Sequence, residues 1–184
     1  VGDLFLNYQA PINEPSINNL HTLLTIVLTR PAPPTSITVL MNSLGGQVHA
    51  GVASYSFIKA LPAPINFINV GNVDSIASIV FLAGAKRIAV PSATFYLHSS
   101  NRTFNGPQGI AAVEEALSSL RSDNERMATI IAQETLIEKT NISGIFLHGR
   151  TMNADEAKTH GLIHEIRALA MPSGSEVMQV AAAY

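Results

Sequence analysis

Apolar positions along the chain switch between two periods, and the switches mark the elements. Leu4 to Tyr8 is a short apolar run that reads as a strand. From Ser16 to Arg30, Ile17, Leu20, Leu23, Leu24 and Val27 recur at helical spacing, and the prolines of "PAPP" (31–34) stop that helix. Ser36 to Met41 ("SITVLM") is β-branched and apolar, as a buried strand should be. Gly45 and Gly46 then turn the chain into a helix from Val48 to Leu61, which "LPAP" ends. Ile65 to Val70 predicts the next strand, followed by Gly71, a loop, and an apolar helix opening at Ser75.

Two short strands, Arg87 to Val90 and Thr94 to His98, flank Pro91. A long helix is predicted from about Pro107 to Glu138, with Ile110, Val113, Leu117, Leu120, Met127, Ile130 and Ile131 in helical register. Asn153 to His160 reads as a capped helix: Asn153 and Glu156 form an N-x-x-E box, and Gly161 suits a left-handed C-terminal residue. Residues 167–184, rich in Ala, Ser and Gly, read as a loose tail on one domain spanning 1–184. Strands alternating with helices give an α/β class with mostly parallel strands. In that class, chemistry gathers where strands end and helices begin. "NSLGGQ", "NVDS" and "LHSS" lie at such ends.

Composition narrows the chemistry. Charged residues make up 13% of the 184 and the net charge is −2, which gives no electrostatic footprint for nucleic acid. So few charges on a chain that is 47% hydrophobic suggest surface hidden in subunit contacts. Without cysteine there is no disulfide, thiolate metal site or Cys nucleophile. The longest apolar run, Ile76 to Ala85, is too short to span a bilayer, and no signal peptide is visible, so a cytoplasmic protein without a membrane is expected. His160 and His164 straddle Gly161, which breaks i,i+4 ligand geometry, and no metal site is expected. His21 is placed on a mostly solvated helix.

Asp74 and Ser75 open the most apolar helix, and alone they read as a cap. Ser75 at a strand-to-helix edge is also a candidate nucleophile, which needs a base. His98 ends the strand "ATFYLH" and could supply one. The Gly45–Gly46 turn is either a plain tight turn or a donor to an oxyanion hole; it lacks the lysine of a P-loop.

At this point the chain resembles the ClpP family, the proteolytic subunit of the caseinolytic (Clp) protease, from about Asp3 to Ile166. "MNSLGGQVHAG" resembles the family's N-S-P-G-G-x-V-x-A-G segment. "GNVDSIASIVFLAGAKR" resembles G-x-A-A-S-M-G-A-x-L-L-x-A-G-A-K, and "AVPSATFYLHSS" resembles A-L-P-N-S-R-x-M-I-H-Q. "MNADEAKTHGLIHEI" resembles the late x-x-A-x-E-A-x-x-x-G-L-I-D helix.

The resemblance implies a ClpP/crotonase-like fold, a repeated β-β-α spiral with a mostly parallel sheet. It implies Ser75 as nucleophile, His98 as general base, and the amides of Gly46 and Ile76 as oxyanion hole. It further implies no cofactor, peptide substrates and a homo-oligomeric ring, a heptamer or a double heptamer. The helix from Pro107 would be the handle between rings, and an ATPase unfoldase is a candidate partner. Four residues depart from the pattern: Leu44 replaces Pro, Asp74 replaces Ala, Ala77 replaces Gly, and Gly149 occupies the acidic third position of the triad. Glu138, Asn141 and His148 are the nearest substitutes in sequence. The expected activity is therefore a slow serine endopeptidase; the alternatives are a catalytically silent ring protein and an acyl-CoA enzyme of the crotonase superfold.

Overall fold

A computed structural model describes residues 2–181. Strand β1 (Asp3–Gln9) leads through α1 (Glu14–Leu28) to β2 (Ser36–Ser43), then through α2 (Val48–Lys59) to β3 (Ile65–Asp74). Helix α3 (Ile76–Leu82) follows, then β4 (Arg87–Ala89) and β5 (Thr94–Leu97). The second half holds α4 (Ile110–Glu134), α5 (Lys139–His148), β6 (Arg150–Asn153), α6 (Ala154–Thr159), β7 (Glu165–Ile166) and β8 (Glu176–Gln179). One eight-stranded sheet runs β6-β5-β3-β2-β1-β8, with β4 bridging β3 and β7. All pairs are parallel except β5–β6. This is the mixed α/β, mostly parallel arrangement that the alternation of elements predicts.

Parallel strands are covered on both faces, so they read as near-continuous apolar runs. Leu4, Leu6, Tyr8, Val39, Met41, Phe67, Val73 and Phe95 pack with the helices in the main core. Phe5, Leu40, Ile68 and Ile88 form a smaller cluster on the opposite face. Phe81 of α3 meets Phe67 and Phe95 edge-to-face, with centroids 5.8 and 5.3 Å away. These contacts clamp α3 against β3 and β5.

Several expectations are corrected. β3 does not stop at Val70 but continues through Gly71 to Asp74. The sheet accommodates this with a register shift between Met41 and Ser43, and Asn42 Oδ1 accepts from the Asn72 amide at 2.8 Å. The long helix begins at Ile110 and ends at Glu134, and a separate α5 follows. Residues 176–179 form β8 beside β1 rather than a loose tail; residues 182–184 of that expected tail lie outside the described residues. His21 is half-buried, stacked on Phe57 at 4.0 Å and hydrogen-bonded to Ser54 Oγ at 3.0 Å; burial lowers its pKa. The Asn153–Glu156 capping box and the left-handed Gly161 (φ 75°) are as the sequence predicts. Among the described residues no helix is long and apolar enough to cross a membrane.

Candidate active site

β3 delivers the chain to Ser75, where strand becomes helix within one residue. Ser75 has φ 56° and ψ −132° and is the one non-glycine residue at positive φ among those described. Such a conformation costs roughly 1–3 kcal/mol and persists only where surroundings enforce it. The Ser75 amide donates to Tyr96 O at 2.6 Å, and the Ser78 amide donates to Ser75 O at 3.0 Å. Ser78 Oγ reaches back to Val73 O at 3.1 Å, tying helix to strand. The cap reading is overturned: neither Asp74 nor Ser75 makes a side-chain cap bond to α3.

Three nearby serines now separate. Ser43 Oγ accepts from the Gly45 amide and Ser78 Oγ donates to Val73 O, and both residues are buried. Ser75 Oγ makes no hydrogen bond among the described residues, and its side chain is partly exposed.

The glycine turn lies directly against it. An ideal Cβ on Gly45 would sit 2.8 Å from Ser75 Cβ and 2.9 Å from Asp74 O, and Gly45 has φ 94°. Only glycine allows that approach. A Cβ on Gly46 would sit 2.2 Å from Ile12 O. Ile12 N donates to Gly45 O at 2.8 Å, and Gln47 N donates to Ile12 O at 2.7 Å, so the turn is held from both sides. The Gly46 amide between them has no partner among the described residues. The Ile76 amide, first in its helix, has no intrahelical acceptor either. Two donors without acceptors among the described residues thus lie one residue from the Gly45–Ser75 contact.

His98 lies just past β5, next to β3. Val73, Phe95 and Leu97 turn into the main core, so alternation puts Asp74, Tyr96 and His98 on the opposite face. The His98 ring stacks on Tyr96 with centroids 5.0 Å apart and planes 20° off parallel. It makes no hydrogen bond to Ser75 in this structure; such contacts are often loose without substrate. Beyond His98, Ser100 N and Oγ both donate to Asn124 Oδ1, at 2.8 and 2.9 Å, anchoring the segment to α4.

Gly149 caps α5 with φ 69° and ψ 141°. Glu138, Asn141 and His148 line a 620 Å³ cleft with Gly149 and Arg150, a cleft that includes neither Ser75 nor His98. The sequence-based substitutes for an acid thus line a cleft that Ser75 and His98 do not. A different acid, Asp74, directly precedes the serine. Asp74 Oδ1 is buried and has no hydrogen-bond partner among the described residues. Burial raises the Asp74 carboxyl above its ordinary range, opposed by the Tyr96 main chain and the His98 ring. Tyr96 and Asp74 were absent from the sequence-based site. The alternation of "ATFYLH" was the available signal for Tyr96, and the departure from Ala was the signal for Asp74. Among the described residues, no three His, Asp or Glu side chains are grouped to hold a metal.

With this geometry in place, the comparisons with known proteins are specific. The Clp protease family profile matches residues 4–169. An ATP-dependent Clp protease proteolytic subunit from Dehalococcoides mccartyi is 30% identical over 166 residues, covering 89% of this chain and 80% of the relative. Proteolytic subunit 3 from Streptomyces coelicolor is 27% identical over 157 residues, covering 84% and 71%. Among solved structures, a point mutant of ClpP1 from Listeria monocytogenes superposes with a TM-score of 0.75 at 24% identity, covering 89% of this chain and 90% of that one. That likeness speaks to the fold.

Proposed function

The chain belongs to the Clp protease family, and we propose that it is a serine-type peptidase using Ser75 and His98. The observation that carries this reading is the Ser75 hydroxyl, unbonded among the described residues, on a strained strand-to-helix turn pressed against Gly45, with the amides of Gly46 and Ile76 next in the chain to that contact and also without acceptors there.

The reaction follows from those positions. His98 takes the proton of Ser75 Oγ as the oxygen attacks the peptide carbonyl. The carbonyl oxygen gains negative charge and is met by the Gly46 and Ile76 amides. His98, now imidazolium, gives its proton to the departing amine, leaving an acyl-serine. Water then attacks the acyl group, giving a proton to His98, and His98 returns it to Ser75 Oγ as the ester bond breaks and the acid product leaves. Without an acid at Gly149 the imidazolium is less supported, and in a serine protease a comparable loss cost about 10⁴ in turnover. We therefore place the activity at the slow end. We also infer a homo-oligomeric ring acting on peptides. The similar proteins are named ATP-dependent, and on that ground an ATPase unfoldase is a candidate partner.

Gly149 and the missing Ser75–His98 hydrogen bond favour a second reading, a ring protein that no longer hydrolyses. Labelling with a fluorophosphonate followed by peptide mapping decides between them. The expected result is modification at Ser75 that Ser75→Ala abolishes. Modification at Ser43 or Ser78 would place the nucleophile elsewhere, and none at all would leave the silent ring.

A further inference from the structure

Gly149 offers no carboxylate, yet the space beside it is filled. An ideal Cβ on Gly149 would lie 2.4 Å from the Tyr96 hydroxyl and 3.0 Å from two Tyr96 ring carbons. The phenol thus stands where a side chain at residue 149 would begin. The same ring is stacked on His98. At φ 69° and ψ 141° the Gly149 backbone also lies outside the regions open to L side chains.

The buried Asp74 oxygen raises a separate question. A buried polar atom without a partner is costly, so its retention calls for a reason. Asp74 pairs in register with Tyr96 and shares the face of His98. It is also the one acid among the residues of β3, β5 and β6 on that face. The matching family segment has Ala there, so the fold itself does not require a carboxylate.

We propose that the work of the absent acid is divided between Tyr96, whose ring holds the His98 imidazole and faces its positive charge, and Asp74, whose carboxylate supplies the opposite charge. This rests on the peptidase reading of Ser75 and His98. When the Ser75 proton passes to His98, the imidazolium forms against an aromatic face, which attracts a cation. The stack restricts the ring plane, as a carboxylate hydrogen bond would. Asp74 counters the charge from the same side of the sheet. The other ionisable groups near the end of β5 are Arg150, paired with Leu97 and 3.8 Å from the Glu156 carboxylate, His148 beside Gly149, His49, Arg102, and the ion-paired Asp123 and Arg126. Neither Tyr96 nor Asp74 touches the reacting atoms; both are positioning residues.

The test uses the full chain, a small peptide ester and four proteins: wild type, Asp74→Ala, Tyr96→Met and Tyr96→Phe. Ala and Met are the residues of the matching family segments, so the fold should accept them. Far-UV circular dichroism and light scattering check that it does. Asp74→Ala and Tyr96→Met should each lower kcat roughly tenfold or more with KM nearly unchanged. Tyr96→Phe keeps the ring and should recover most of the turnover that Tyr96→Met loses. Unchanged kcat in Asp74→Ala and Tyr96→Met, with wild-type Ser75 still labelled by fluorophosphonate, would overturn the proposal alone. A rise in KM at constant kcat would also overturn it, by making these residues substrate contacts. An inert wild-type Ser75 would remove the peptidase reading, and this proposal with it.

Discussion

Ser75 holds an unfavourable backbone conformation because its neighbours leave no alternative: the amide is bonded to Tyr96 O, the carbonyl to the Ser78 amide, and Gly45 presses from the side. Gly45→Ala should therefore do two things at once. A methyl at φ 94° is strained, and it would meet Ser75 Cβ at 2.8 Å. We expect a loss of roughly 1–3 kcal/mol in urea unfolding and a large fall in fluorophosphonate labelling. An unchanged midpoint with wild-type labelling would show that the turn does not support Ser75. Restoring the family's acid directly should fail for a related reason. Gly149→Asp must displace the Tyr96 ring and force an L residue to φ 69°, so we expect lower stability and no gain in turnover on a peptide ester. At this scale the sequence showed a serine, a histidine and two glycines at strand ends. It could not show that Asp74 is not a cap, because capping is decided by side-chain direction. Nor could it show that Tyr96 fills the place of residue 149, because that depends on the pairing of Tyr96 with Thr151 across β5 and β6.

Elements with strong periodicity were legible, and those held by tertiary bonds were not. α4 and α5 look like one helix in sequence. The break comes from Thr135, whose Oγ1 donates to Ile131 O at 2.7 Å and accepts from the Ile137 amide at 3.1 Å, while Leu136 N turns to His160 O at 2.9 Å. β8 is equally hidden, because its stability comes from pairing with β1 and from Arg30, which grips Glu176 at 2.7 and 3.0 Å. The end of α4 is also fixed by Arg87, a buried guanidinium that donates to the carbonyls of Leu162, Gly84, Glu134 and Gly161. The Glu134 carboxylate takes Lys59 Nζ at 2.8 Å and the Tyr55 hydroxyl at 2.6 Å. Burial raises the Glu134 pKa, but Lys59, Tyr55 and Arg87 outweigh it and hold the group below its usual 4.5. A carboxylate depressed in the folded state stabilises the protein above its unfolded pKa, and that contribution is lost as pH falls through the folded value. Wild-type stability should therefore drop below about pH 4.5, and Glu134→Gln should flatten that part of the curve while lowering stability at pH 7. Thermal melts between pH 3 and 7 measure both; parallel curves would mean that Glu134 does not contribute to acid unfolding. Arg87→Lys should cost roughly 3–5 kcal/mol, because an ammonium cannot reach the carbonyls that the guanidinium spans.

For the whole molecule, the surface that remains apolar is the main observation. Along α4, Ile110, Val113 and Leu117 are 80, 47 and 45% exposed. Their spacing puts them on one stripe. Every residue from 101 to 110 before and at its start is exposed, including Phe104. Leu44, Leu136 and Leu147 are also largely exposed on other parts of the surface. With charged residues at only 13% of the chain, little repels a second copy. Three side chains fall short of the roughly 1,000 Å² that a stable interface buries, but the stripe together with the exposed segment before it offers a continuous surface. A homo-oligomer larger than a dimer is expected, with this stripe as one contact and the scattered leucines in others. Sedimentation velocity at micromolar concentration should give a species several times 19.6 kDa. Ile110→Asp with Val113→Asp should then reduce that mass to a smaller assembly and not to an unfolded chain, because neither side chain belongs to the core. A wild-type monomer would defeat the ring outright. An unchanged assembly in the double variant would leave the ring standing but move its contacts away from α4, toward Leu44, Leu136 and Leu147.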